Sequence, residues 1–211
     1  MKRILPGLLG TVLAMVLFIL VVLPAQPRAA DAPATTLDNL QTAYNGESNA
    51  HNRYLAFAKK ADEEGYLGVA RLFRAAAHSE GVHVARLAEV IKGMKAVPKA
   101  DIQTPDVKST RENLEAALKG ESHERDTMYP GFIKQARAER NTDALRVFNF
   151  AKSAETEHAK FYDAALKDMD GWKAAKNDLY VCKHCGFTVE KITFDKCPVC
   201  FEPKSEYVKV N

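Results

Sequence analysis

Two Glu-x-x-His pairs stand far apart in the chain, Glu80 with His83 and Glu155 with His158. Three-residue spacing puts both members of a pair on one helix face. Two more glutamates, Glu47 and Glu121, hold comparable positions in two other stretches. On solvated faces such residues would be ordinary. Here they interrupt apolar seams: Tyr44, Glu47, His51, Tyr54; Ala76, Glu80, His83, Leu87; Ala117, Glu121, Glu124, Met128; Ala151, Glu155, His158, Tyr162. The periodicity directs all of them at a core. A buried, unpaired carboxylate is costly or takes up a proton, and several at one level also repel one another. Metal cations remove both problems. One Glu from each of two helices, with Glu-x-x-His from each of the other two, is the donor set of two-metal bundle sites. Four carboxylates balance two divalent cations. Glu124 is a fifth, and its charge is useful chiefly after the ions are oxidised. The other reading of Glu124 is a base or ion-pair partner beside the ligands. His51, His78 and His123 read as ordinary or neighbouring histidines rather than ligands.

All four cysteines fall late, as Cys182-x-x-Cys185 and Cys197-x-x-Cys200. Two such knuckles offer four thiolates in a tetrahedron, which suits iron or zinc. Zinc has no redox chemistry, whereas iron there would relay single electrons. Tyr180, Phe187, Phe194 and Tyr207 are the aromatic residues available to shield the cluster.

These residues need rigid elements to hold them. Helical periodicity covers about 36–64, with Gly65 as its stop, and about 66–92, stopping at Gly93. A loop with Pro98 and Pro105 follows over 94–108. The third segment opens with Ser109 and Glu112 as a capping box, and Pro130-Gly131 should kink it or end its first half. The fourth runs over about 142–170. Four long amphipathic helices with one long crossover predict a mainly α, ferritin-like four-helix bundle over 36–171. Beyond it, 177–211 alternates short β-prone runs with turns around the cysteines, which predicts a small β/turn domain.

Residues 1–35 are of another kind. Lys2 and Arg3 precede an uncharged apolar run over 4–25, followed by a Pro/Ala-rich stretch. The run is long for a signal peptide and fits a membrane span. Cleavage near Ala32-Pro33-Ala34 is the alternative. The basic flank should stay cytoplasmic, so the body is expected in the cell envelope: anchored in the inner membrane facing the periplasm, or periplasmic if cleaved. The formal net charge is +3, and +1 without the first 34 residues, so electrostatics make no case for nucleic acid.

Taken together, the chain resembles a rubrerythrin. The matching stretches are Gly46-Glu47-Ser48-Asn49-Ala50 with Asn52-Arg53-Tyr54; Glu80-x-x-His83; Gly120-Glu121-x-x-Glu124 running into Met128-Tyr129-Pro130; Ala154-Glu155-x-x-His158; and the two knuckles. They span about 36–211. The resemblance implies a di-iron centre and a rubredoxin-like domain with one iron held by Cys182, Cys185, Cys197 and Cys200. One bundle iron would be held by Glu47 and, according to redox state, by Glu124 or His83. The other would be held by Glu121 and His158, with Glu80 and Glu155 bridging. Tyr54 and Tyr129 match tyrosines beside the centre. The implied activity is a peroxidase that reduces hydrogen peroxide to water with electrons relayed through the cysteine-bound iron, protecting against oxidative stress. The implied partners are peroxide and an electron-donor protein that the sequence does not name. A homodimer or larger assembly is expected, with the cysteine site of one chain approaching the bundle site of another. A ferroxidase or iron-handling protein on the same bundle is the alternative, and a zinc-ribbon adaptor is a further one. The chain departs from the family at its N-terminus, at Gly81 and Gly131 within helical segments, and at Phe201, where a small residue is usual. Phe201 is expected to alter the backbone of the second knuckle.

Overall fold

The computed structural model describes residues 34–174 and 178–211; the apolar run over 4–25 lies outside them. Among the described residues no helix is long and apolar enough to cross a membrane. The chain runs α1 (Thr36–Glu63), α2 (Leu67–Gly93), α3 (Thr110–His123), a π-helical turn (Glu124–Met128), α4 (Tyr129–Ala138), α5 (Thr142–Lys167), β1 (Leu179–Cys182), β2 (Thr188–Val189) and β3 (Tyr207–Val210). The fold is thus mainly helical, a ferritin-like bundle followed by a small sheet that carries the four-cysteine cluster.

Local chemistry sets the helix ends. Thr35 and Asp38 form a capping box on α1, and Ser109 and Glu112 form the expected one on α3. The side-chain oxygen of Asn141 accepts the Ala144 N–H at the start of α5. Gly65 lies in the turn between α1 and α2 at φ +78°, a conformation that glycine adopts without a Cβ penalty. The crossover between α2 and α3 is fastened to α1 by side chains: Gln41 donates to Val97 O, Asn49 donates to Asp101 O, and Asn45 Oδ1 accepts from the Asp101 N–H.

The third segment continues through Pro130-Gly131, but its first α-helical half gives way just before them. The chain widens into a π turn just before Pro130, with Tyr129 N–H donating to Glu124 O. Pro130 has no N–H to give Asp126, and its ring would press on that carbonyl. A π turn relieves both. It also changes what faces inward. Eight α-helical steps of about 100° would leave Tyr129 about 80° out of line with Glu121. One residue absorbed by the π turn cuts the mismatch to about 20°. Both side chains are accordingly buried. Gly81 and Gly131 are accommodated inside α2 and α4 without interrupting them.

The bundle core divides into two apolar clusters. One holds Tyr54, Phe57, Phe73, Leu114 and Tyr162; the other holds Leu40, Leu87, Ile91, Tyr129 and Phe148. Glu47, Glu80, His83, Glu121, Glu155 and His158 fall between the residues of the two clusters along their helices, and all six are buried. Burying a large apolar side chain stabilises by about 1.5–3 kcal/mol, so these clusters offset the cost of the polar layer between them.

In the C-terminal module the strands order as β2-β1-β3, all antiparallel, with Tyr180 opposite Val189 and Lys209. Tyr180, Phe187, Phe194 and Tyr207 pack around the cysteines as expected. The two knuckles have the same turn. Gly186 N–H donates to Cys182 O at φ +80°, and Phe201 N–H donates to Cys197 O at φ +64°. The expected change of backbone at Phe201 is therefore absent: four ligands around one centre impose the turn, and Phe201 adopts a left-handed conformation that costs a non-glycine residue roughly 1–2 kcal/mol. Its side chain is 71% exposed and recovers little of that by burial. Phe201→Gly should raise the stability of the module by about 1 kcal/mol, read as a higher midpoint for thermal loss of the four-cysteine absorption. A lowered midpoint would show that the ring is held by contacts that outweigh the strain.

Candidate metal centre

Each bundle segment delivers its side chain by the spacing read above. Glu47 comes from α1, Glu80 and His83 from α2, Glu121 from α3, and Glu155 and His158 from α5. They assemble into two overlapping sets, Glu47–Glu80–His83–Glu155 and Glu80–Glu121–Glu155–His158, with the donor atoms of each set within 4.8 Å of one another. Glu80 and Glu155 belong to both.

The arrangement has an approximate two-fold symmetry. Glu80 presents Oε2 to His83 Nδ1 at 2.8 Å and Oε1 to His158 Nδ1 at 3.3 Å. Glu155 presents Oε1 to His83 Nδ1 at 3.3 Å and Oε2 to His158 Nδ1 at 3.0 Å. Glu47 Oε2 lies 3.9 Å from His83 Nδ1, and Glu121 Oε2 lies 3.6 Å from His158 Nδ1. The outer oxygens of these two glutamates are tied down by tyrosines. Tyr54 donates to Glu121 Oε1 at 2.5 Å, and Tyr129 donates to Glu47 Oε1.

Apart from the Glu80 Oε2–His83 Nδ1 pair, the inner atoms are left without hydrogen bonds. Glu47 Oε2, Glu80 Oε1, Glu121 Oε2, both oxygens of Glu155 and His158 Nδ1 are buried and have no such partner. Orphaned acceptors of this kind are costly in a core. Because they converge on two points, two cations satisfy them together, so the donor set fits a two-metal centre. Protonation behaviour shows the same crowding. Burial and the neighbouring Glu80 push Glu47 up to about 7. Burial, then Glu80, raises Glu155 as well. Burial opposes charge on His158, yet Glu121 and Glu80 hold its pKa at about 10. Burial, followed by Glu121 for Tyr54 and Glu47 for Tyr129, raises both phenols, so they remain donors.

Glu124 is the one predicted ligand outside both sets. It begins the π turn and is partly buried. Burial, then Glu47 and Glu121, raise its pKa, while Arg53 opposes them. His83 occupies the first position in its stead. His51, read as a non-ligand, holds α1 to α2 through Nδ1 and Ala77 O at 2.7 Å. Arg53 went unassigned from sequence. Its guanidinium carbon lies 5.3 Å from the Tyr54 ring centroid; burial opposes its charge, whereas Tyr54, Glu124 and Glu121 favour it.

The four cysteines form a second centre. Cys182 and Cys200 sulfurs are 3.7 Å apart, as are those of Cys185 and Cys197. That is far beyond a disulfide bond and close to the edge, about 3.8 Å, of a tetrahedron with 2.3 Å metal–sulfur bonds. The cysteines are free, so four thiols are available. Tyr207 O–H donates to Cys197 Sγ at 3.1 Å.

The first knuckle meets the bundle site of its own chain. His83 Nε2 is 3.3 Å from Cys185 O, Ser79 Oγ donates to Gly186 O at 2.7 Å, and His158 Nε2 is 3.2 Å from Thr188 Oγ1. Arg86 adds Nε–H to His184 O at 2.9 Å. A Cβ on Gly186 would run into His83 Nε2 and Ser79 Oγ, which is why glycine stands there. Ser79, Arg86 and Thr188 carried no sequence signal, because their partners lie at least 30 residues away.

Residues 38–166 match the rubrerythrin family. Nigerythrin of Nitratidesulfovibrio vulgaris is 41% identical over 180 residues, spanning 83% of this chain and 87% of the relative. Rubrerythrin of Porphyromonas gingivalis is 31% identical over 176 residues, spanning 82% and 88%. A solved structure of nigerythrin in its fully reduced, all-ferrous state superposes with a TM-score of 0.78 at 37% identity, covering 86% of this chain and 91% of its own. A bacterioferritin of Mycobacterium tuberculosis, 23% identical with a TM-score of 0.59 over 64% of this chain, shares the bundle fold. Since sequence and fold agree with the nigerythrin and rubrerythrin relatives over more of the chain than the bundle alone, the protein belongs to the rubrerythrin family.

Proposed function

We propose that the chain is a non-haem di-iron peroxidase that reduces hydrogen peroxide to water, with an iron in the four-cysteine site as its electron relay. One observation carries the reading: two four-residue donor sets share Glu80 and Glu155, and His83 of one set is hydrogen-bonded to the carbonyl of a cysteine ligand. Glu47, Glu80, His83 and Glu155 would hold one ion, and Glu80, Glu121, Glu155 and His158 the other. Two ferrous ions held there would supply the two electrons that, with two protons, convert one peroxide to two waters, and would serve as Lewis acids.

The chain's own groups do the rest. Tyr54 and Tyr129 keep their protons and fix the outer oxygens of Glu121 and Glu47, so the inner oxygens stay aimed at the centre. Glu124 and the two phenols are the acids at hand for the leaving oxygen. Glu124 would also be the carboxylate available to take the place of His83 around oxidised ions, since a fifth carboxylate would offset the added charge. The aromatic core around Tyr54, Phe73 and Tyr162 keeps water away from the carboxylate layer. Iron storage or ferroxidation would need the bundle but not a cysteine module against His83. The biological role that follows is protection against oxidative stress. With the apolar run over 4–25, we place the protein in the cell envelope.

Protein purified without air tests the assignment. Metal analysis should give two bundle irons and one cysteine-bound iron per chain, with thiolate-to-iron absorption. A colourless zinc protein would overturn the relay, and ferrous iron accumulating as mineral would favour iron handling instead.

A further inference from the structure

We propose that Thr188, in the cysteine module, is a positioning residue for the bundle metal site: it fixes the tautomer of His158 that leaves Nδ1 free to bind a metal. This rests on the two-metal reading of the bundle.

The inference follows from counting protons. The Thr188 hydroxyl has one proton, and it donates this to Gly186 O at 3.1 Å. Toward His158 Nε2, at 3.2 Å, the same oxygen can then only accept. Nε2 must therefore carry the ring hydrogen. When a metal displaces the hydrogen that the surrounding carboxylates favour on Nδ1, the imidazole left behind keeps its hydrogen on Nε2 and turns its Nδ1 lone pair to the metal. Nδ1 is the atom that lies among Glu80, Glu121 and Glu155, buried and without a hydrogen-bond partner. Thr188 is itself fully buried and paired in β2 opposite Val181, so its hydroxyl has little freedom to turn.

The alternative tautomer is specific and unfavourable. If Thr188 donated to Nε2 instead, Nδ1 would carry the hydrogen and have no lone pair for a metal. Gly186 O would then keep only its bond from Ser79. His83 has a backbone acceptor in the same place: Cys185 O can only accept and so holds a hydrogen on His83 Nε2, while the hydrogen that Nδ1 shares with Glu80 Oε2 at 2.8 Å is the one a metal would displace. Both histidines of the bundle site thus receive their outer hydrogen bond from one segment, Cys185 to Thr188. The module completes the bundle site within the same chain, in addition to any electron it passes on. Outer hydrogen-bond partners of metal-bound histidines commonly contribute 10–100-fold in affinity.

The test uses the full chain with its four-cysteine site loaded. Ferrous iron affinity of the bundle is measured without air by competition with a chelator. Thr188→Val should lower it about 10–100-fold, Thr188→Ser should restore it, and the four-cysteine absorption should not change. Parent affinity in Thr188→Val would overturn the proposal. A parent protein that binds no metal in the bundle would instead overturn the two-metal reading. If Thr188→Val loses its four-cysteine absorption, the zinc-loaded parent decides by ¹⁵N ring resonances of His158. Hydrogen on Nε2 with metal on Nδ1 supports the proposal; the reverse pattern overturns it.

Discussion

Glu80→Ala should strip the bundle of most of its metal and leave the four-cysteine site loaded. Glu80 gives one oxygen to each position, 2.8 Å from His83 Nδ1 and 3.3 Å from His158 Nδ1. Removing it takes a donor from both ions at once and unbalances their charge. Since an outer hydrogen-bond partner alone is worth 10–100-fold, loss of a shared ligand should cost about 100-fold or more in affinity. The metal-free protein should respond differently. Glu80 raises the pKa of Glu47 and Glu155 by repulsion, so its removal relieves crowding there. Thermal stability of the metal-free variant should therefore fall far less than its metal affinity. Metal analysis, calorimetry and peroxide turnover read the three quantities. Two bundle irons retained with unchanged turnover would show that Glu80 is not a bridge.

Cys197→Ser should reduce steady-state peroxide turnover with an external donor to near background. Cys197 is fully buried, 3.7 Å from Cys185 Sγ and hydrogen-bonded by Tyr207, so serine removes a soft ligand from a closed tetrahedral site. The chemically reduced bundle centre should still be oxidised once by peroxide, because none of its donors is changed. Rapid mixing separates the two outcomes. Equal steady-state rates in variant and parent would remove the relay role.

The bundle and most of its site were legible from residue spacing. Glu80/His83 and Glu155/His158 could be found because helical periodicity makes three-residue spacing a statement about one face, and because apolar neighbours place that face in a core. The capping box at Ser109 and the stop at Gly65 are equally local. What could not be read depends on contacts far apart in sequence. The π turn at Glu124–Met128 shows only as Pro130, and a kink was the simpler expectation. The choice between Glu124 and His83 turns on packing between α2 and the π turn. The docking of Cys185, Gly186 and Thr188 on the bundle involves hydrogen bonds between residues 30 to 107 positions apart. No periodicity announces those. Phe201 misled for a different reason: its residue type argues against a left-handed turn, but four sulfurs converging on one point impose it.

The central claim is that electrons held at the bundle centre cleave peroxide two at a time. Its most direct test is an anaerobic titration of the fully reduced protein with hydrogen peroxide, following the bundle and four-cysteine absorptions separately while trapping any hydroxyl radical. The account predicts that one peroxide oxidises both bundle irons of a chain, that the cysteine-bound iron is oxidised only as it refills them, and that no radical is trapped. Oxidation of the cysteine-bound iron with the bundle irons left reduced, or radical released in proportion to the peroxide consumed, would contradict it.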